Sequence, residues 1–457
     1  MTRSLLFVLF YLGALQMQFA QNYSQAEVAE DLNYLQGQLR GFHPGFNRYA
    51  PPGELDQAFQ NMKQKGVASP LELFKRVRFL ISKVKCGHTN ASFSRKDYDS
   101  FVQSRLFLPV MVRFSGETLY VVNASLTKGV LHNGEKILSV NGKAVKEIVD
   151  AIFEHLPSDG FIETGKHRYT ETFFYYYHQL FADSARYDKF LVEVTDRSGS
   201  SRTVEIQGEE LSVVESIRET DSSPLMQLEH FDQYSYLKIR TFSSSELNRA
   251  GIHYSRFLAN AFDDLKKKKV QNLILDLRGN GGGDDDYGAT LVSYFADKPF
   301  RYFANIQVTD AYKGYGKIEK RNGVRYMTSH DGLDIWKPEK DRFAGKVVVL
   351  TDGFSFSTCA DVAAVLHHHK WATFIGEETG GGYDGNTSGS TTSITLPNSQ
   401  IQVRIPMWMY TTANIGHEFH GRGVIPDLPV QNTIDDLIQD NDPVLQKAIE
   451  LFKKPGR

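Results

Sequence analysis

An α/β fold with a largely parallel sheet is predicted for the C-terminal half of this chain, and three observations predict it. From about residue 212 apolar strands and amphipathic helices alternate: strand 234–239, helix 245–267, strand 273–277, a helix after the glycines, strand 347–350, helix 357–369 and strand 373–375. Such alternation implies crossover helices between parallel strands. The strand in LILDLRGNGGG (residues 273–283) runs directly into a glycine-rich turn, and VVVLTDGFSFSTCADVAAVL (347–366) places Ser357 where a strand gives way to a helix. Parallel sheets carry their sites at the carboxyl ends of strands, where both turns lie.

The rest of the chain divides into smaller units. One arginine, Arg3, precedes an apolar run over 5–15, and Ala20 offers a cleavage point before Gln21, the pattern of a secretory signal peptide over 1–20. The run is short for a membrane span and no later stretch is long enough, so a mature chain starting near residue 21 is expected outside the cytoplasm, with no integral membrane segment. Val28, Leu32, Leu35 and Leu39, then Leu71, Leu73, Phe74, Val77 and Leu80, recur at helical spacing on either side of Pro51-Pro52. They predict a helical domain over 21–104 that contains KVKCGHTNASFS. A second domain over 105–210 opens with strands 108–114 and 119–122, turns at Asn141-Gly142 into a helix, and closes with a hairpin of 189–194 and 201–206 through Ser198-Gly199. Phe173 to Tyr177 reads as core. The third domain, 211–457, holds both motifs, and residues 380–390 read as a surface loop.

Composition narrows the function. With 457 residues, 41% hydrophobic and 12% aromatic, the chain has the material for several cores. A net charge of −2 argues against a nucleic-acid partner, and Lys266 to Lys269 reads as a solvated helix end. Two cysteines, Cys86 and Cys359, allow one disulfide at most.

The two turns suit acyl transfer. A serine hydroxyl at a helix N-terminus sits where developing negative charge is favoured, although a serine there equally serves as the helix cap, for which Ser355 competes. Stabilising a tetrahedral oxyanion takes two convergent N–H donors: Thr358, following the serine, and Gly282 or Gly283, where the missing side chain permits close approach. DLRGNGGG lacks the lysine and hydroxyl of a phosphate loop and the spacing of a dinucleotide fingerprint. Asp284 to Asp286 reads as charge at a helix start. The histidines of HEFH (417–420) are three apart on a loop, and His367 to His369 are consecutive, so neither is read as a metal site. No metal or organic cofactor is expected.

The order of a helical domain with Gly-His-Thr, a module with GEKILSVNG, then YLKIRTF, DLRGNGGG, SFST, GEETGGG and GVIPD resembles the C-terminal processing (tail-specific) serine proteases over nearly all of the mature chain. The resemblance implies a crotonase-like catalytic domain, a PDZ-like module over 105–210 and an exported serine peptidase acting on extended or unfolded protein. Members with a Ser-Lys dyad carry a lysine just beyond the Gly-Glu motif, but residues 376–390 (GEETGGGYDGNTSGS) have none. The similarity is therefore to the tricorn-core-like branch, which implies His88 as general base and Glu418, just before GVIPD, as its carboxylate partner to Ser357. An ordinary loop histidine and a solvated loop carboxylate are the plainer readings. Gly87 stands where a fourth member sometimes precedes the histidine. If His88 meets Ser357, Cys86 and Cys359 come near one another and a disulfide between them is possible; two buried thiols are the other reading. The entry strand LPVMVRFSGETLY lacks the carboxylate-binding glycine loop of ordinary PDZ domains. A catalytically silent binding protein and an esterase are the rival functions.

Overall fold

The computed structural model describes residues 22–219, 221–413 and 419–453. The expected signal peptide and Glu418 lie outside the described residues.

Residues 25–84 are helical for reasons written in their termini. Ser24 and Glu27 form a reciprocal capping box on Gln25–Phe42, burying Val28, Leu32, Leu35 and Leu39. Glu54–Gln64 follows the two prolines. Pro70–Val84 starts on a Ser69 cap with proline in its first turn and stops at Lys85, which takes a left-handed conformation with φ 55°. The chain then reverses through Cys86 to Thr89 into the strand Asn90–Ser92.

That strand does not stay with its own helices. It pairs antiparallel with Gln402–Thr412, Asn90 opposite Arg404, at the edge of a six-stranded sheet that also contains Phe303–Val308, Val324–Met327, Ile318–Arg321 and Thr387–Thr395. A short antiparallel ladder thus joins the helical region to the C-terminal third.

The middle of the chain builds its own sheet from Met111–Ser115, Thr118–Asn123, Lys136–Val140, Lys189–Thr195 and Ser201–Gln207, with Lys143–Ala144 pairing to one side. The predicted hairpin is present, with Lys189 opposite Gln207. The helix Thr164–Tyr177 packs on this sheet and buries Phe174 and Tyr175.

The parallel sheet runs in the order Leu428–Pro429, Thr373–Gly376, Lys346–Thr351, Asn272–Asp276, Ser235–Ile239, Met226–His230, antiparallel only in the last pair. Asp276 and Leu350 are direct neighbours, so the glycine-rich turn and the serine turn leave the sheet side by side. The helix expected over 245–267 is instead two, Ser244–Arg249 and Tyr254–Lys267, divided at Gly251 with φ 72°. A second correction concerns residues 380–390. Gly380 to Thr387 are buried and Thr387–Thr395 is a strand, because these glycines pack against the serine turn; a Cβ on Gly381 would fall 3.0 Å from the Ser357 nitrogen. No helix among the described residues is long and apolar enough to cross a membrane.

Candidate active site

Ser357 and His88, 269 residues apart in sequence, meet: Ser357 Oγ lies 3.1 Å from His88 Nε2. The serine is held in a conformation that few non-glycine residues adopt, φ 56° and ψ −133°. It occupies the cap position of Thr358–His368, yet its side chain makes no capping bond, which decides against the plainer reading. Ser355 does the structural work instead. Fully buried, it donates to the Leu277 carbonyl at 2.9 Å and accepts the Asp352 N–H at 3.1 Å.

His88 is oriented by packing. Its ring stacks on Phe356 at 4.5 Å between centroids, and the absence of a side chain at Gly87 permits this, since a Cβ there would fall 2.7 Å from the Phe356 ring. The Asp159 carboxylate accepts the Gly87 N–H at 2.8 Å and so fixes the histidine loop. Burial, reinforced by the Arg404 charge, pushes the His88 imidazole down to about 3, which favours the neutral ring. Its Nδ1 is buried with no partner among the described residues.

The two turns are laced together around this pair. Phe356 N–H donates to the Asn280 carbonyl at 3.0 Å, Gly279 N–H to Asp352 Oδ1 at 3.0 Å, and Thr358 Oγ1 to the Gly283 carbonyl at 2.8 Å. Gly282, φ 94°, presses on Ser357: a Cβ there would stand 2.7 Å from Ser357 Cβ and 2.9 Å from the Thr358 nitrogen. Its N–H donates to Asn280 Oδ1 at 2.9 Å, while those of Gly283 and Thr358 have no backbone acceptor among the described residues. The expected donors Thr358, Gly282 and Gly283 are therefore gathered at one place, two of them with N–H groups uncommitted to backbone. A cleft of about 230 Å³ opens above the turns, lined in part by Gly87, Tyr169, Gly281, Phe354 and Phe356.

Other expectations fare differently. The possible disulfide is not formed: Cys86 and Cys359 are free and buried, and their sulfurs turn to different carbonyls, Thr387 at 3.2 Å and Leu277 at 3.7 Å. Asp284 stands at the cap position of Asp285–Ser293, as a charge at a helix start should, and Asp285 reaches Thr358 Oγ1 at 3.0 Å. Sequence reasoning missed Asn280, Asp352 and Asp159. The first two lie within the quoted motifs, and Asn and Asp beside glycine are common anchors of turns, a signal that was available. Asp159, in a loop of the middle unit, carried none.

Comparison with known proteins completes the picture. Residues 233–430, spanning both turns, match peptidase family S41. Carboxy-terminal processing protease CtpA of Bacillus subtilis (strain 168) is 27% identical over 200 residues, which are 43% of this chain and 37% of that protein. The carboxy-terminal-processing protease of Bartonella bacilliformis is 28% identical over 201 residues, 42% and 39% of the two chains. The chain thus spans well under half the length of these relatives. In fold, the likeness extends beyond the S41 match: mature CPAF complexed with lactacystin superimposes with a TM-score of 0.67 at 15% identity over 94% of this chain and 98% of that one. A peptidase structure from Parabacteroides merdae gives 0.50 at 19% identity over 95% and 98%.

Proposed function

We propose that this chain is an exported serine peptidase that cleaves extended or unfolded protein through an acyl-enzyme. The observation that carries the reading is the 3.1 Å approach of Ser357 Oγ to His88 Nε2, with the serine relieved of capping. In the first step Ser357 Oγ bonds to the scissile carbonyl carbon while its proton passes to His88 Nε2. The oxyanion is met by the Thr358 N–H at the helix start and by the Gly283 N–H, while the Gly282 N–H stays on Asn280 Oδ1. Collapse breaks the C–N bond, and His88 returns the proton to the departing amine. Water then repeats the sequence on the acyl-enzyme and frees Ser357. Glu418 is assigned to orient the imidazole through Nδ1, on its position before GVIPD.

Residues 21–104 are assigned as an N-terminal helical domain, 105–210 as a PDZ-like module and 211–457 as the catalytic domain. The module's role is scaffolding. Glu171, on the helix Thr164–Tyr177, already accepts the Phe114 N–H at 2.8 Å, the edge where an added peptide strand would bond. Arg168 on the same helix reaches Glu377 at 2.6 Å, and Glu377 accepts the Gly353 N–H of the serine turn at 3.3 Å. Export rests on the charged and apolar N-terminus, and amino-terminal sequencing of the secreted form should begin near residue 21.

Fluorophosphonate labelling beside casein digestion tests the chemistry. Wild type should label and digest, and Ser357→Ala and His88→Ala should do neither, with Glu418→Ala reduced in both. A folded wild type that never labels would return the chain to the silent-binding class, and labelling with ester but not peptide turnover would make it an esterase.

A further inference from the structure

Behind the catalytic histidine three donors of different chemistry converge. Cys86 Sγ, a ring nitrogen of His88 and a carboxylate oxygen of Asp159 lie within 4.8 Å of one another, the one such grouping of three or more among the described residues. Cys86 is 4% exposed and Asp159 2%. His88 Nδ1 and Asp159 Oδ2 are both buried without a hydrogen-bond partner among the described residues, although such atoms are nearly always paired. Asp159 Oδ1 is engaged by Gly87 N–H, which leaves Oδ2 as the available ligand atom. Catalysis as proposed above makes no use of Cys86 or of Asp159 Oδ2.

We propose that Cys86, His88 and Asp159 form a site for a borderline divalent transition cation, Zn²⁺ by its donor set, whose occupancy switches the peptidase off. The inference rests on the serine-peptidase reading for its consequence but not for the site itself. One sulfur, one imidazole nitrogen and one carboxylate suit Zn²⁺ in tetrahedral coordination with a fourth position for water, whereas Ca²⁺ and Mg²⁺ select oxygen. The thiol gives up its proton to solvent on binding, and thiolate plus carboxylate balance the 2+ charge, so the filled site is neutral where an unpaired charge would be costly.

Inhibition follows from the two nitrogens of one ring. A neutral imidazole coordinated through Nδ1 carries its proton on Nε2. The Nε2 that faces Ser357 Oγ then presents an N–H instead of a lone pair and cannot take the hydroxyl proton. Occupancy thus takes Nδ1 from Glu418, its assigned partner in catalysis, and locks His88 in the tautomer that is useless as a base.

The test uses the full mature chain and two readouts. Co²⁺ is added to wild type, Ser357→Ala, Cys86→Ser and Asp159→Asn, and the near-ultraviolet thiolate-to-cobalt band is recorded; peptide hydrolysis is titrated with Zn²⁺ in the active proteins and restored with EDTA. The band is expected in wild type and Ser357→Ala and absent in Cys86→Ser. Zn²⁺ should inhibit wild type reversibly, with Cys86→Ser and Asp159→Asn requiring about 10–100-fold more metal. Absence of the band in both wild type and Ser357→Ala overturns the site. Equal Zn²⁺ sensitivity in Cys86→Ser overturns it also, by placing the metal on the Ser357 side of the ring. A band without any peptidase activity in wild type would leave the site standing and remove the peptidase reading instead.

Discussion

The two turns that leave neighbouring strands of the parallel sheet solve opposite problems. The turn after Asn272–Asp276 is built of glycine, and what it offers is backbone: Gly282 and Gly283 take φ of 94° and 147° so that main chain can press on Ser357 and on Phe242. The turn after Lys346–Thr351 is built of side chains with separate duties. Asp352 gathers N–H groups of both turns, Ser355 anchors Leu277, and Ser357 alone has its hydroxyl directed to a histidine. Two serines two residues apart show the difference: one is buried to hold the turn, the other strained to expose an oxygen. A nucleophile is distinguished from a cap by what its oxygen fails to bond, which only the folded turn reveals.

That comparison can be broken or sharpened by substitution. The largest effect is expected for Ser357→Ala, a loss of at least about 10⁴-fold in kcat/KM with an unchanged unfolding midpoint, read by peptide hydrolysis and calorimetry. Next comes Gly283→Ala, whose Cβ would be driven within 2.1 Å of the Phe242 backbone. Nothing flexible can yield there, so a stability loss of about 4 kcal/mol or more is expected in urea denaturation. Asn280→Ala should cost about 2–4 kcal/mol, because both the Ile239 carbonyl and the Gly282 N–H lose a buried partner, and activity should fall with it as the glycine wall loosens. Ser355→Ala should be milder in stability, about 1–3 kcal/mol, and must retain fluorophosphonate labelling; if it lost labelling as Ser357→Ala does, the division of labour between the two serines would be wrong. The smallest effect belongs to Thr358→Val, which cuts the side-chain link to the Gly283 carbonyl, at about 1 kcal/mol.

Much of this architecture was legible because parallel strands buried on both faces leave nearly continuous apolar runs. Residues 273–276 and 347–351 are such runs, and each ends in residues that can only be a turn. The antiparallel region was harder. Thr387–Thr395 carries serine, threonine and glycine where a strand usually carries branched apolar residues, so its sequence reads as loop although it pairs along Gln402–Thr412. The helix break at Gly251 was visible as a glycine but not as a boundary, because the apolar spacing continues across it. At the site, Ser357 and His88 were reached through motif order, and their side chains lie 3.1 Å apart. Asp159 could not be reached, since a carboxylate in a loop of another unit becomes a partner only through tertiary packing.

The ladder joining Asn90–Ser92 to Gln402–Thr412 also sets a schedule. A ribosome completes His88 before Ser357, and Gln402–Thr412, the strand of the antiparallel sheet that seats the His88 segment, is made after both. The ladder that holds the His88 segment beside Ser357 can therefore close only after residues 402–404 have been made, more than 300 residues beyond the histidine.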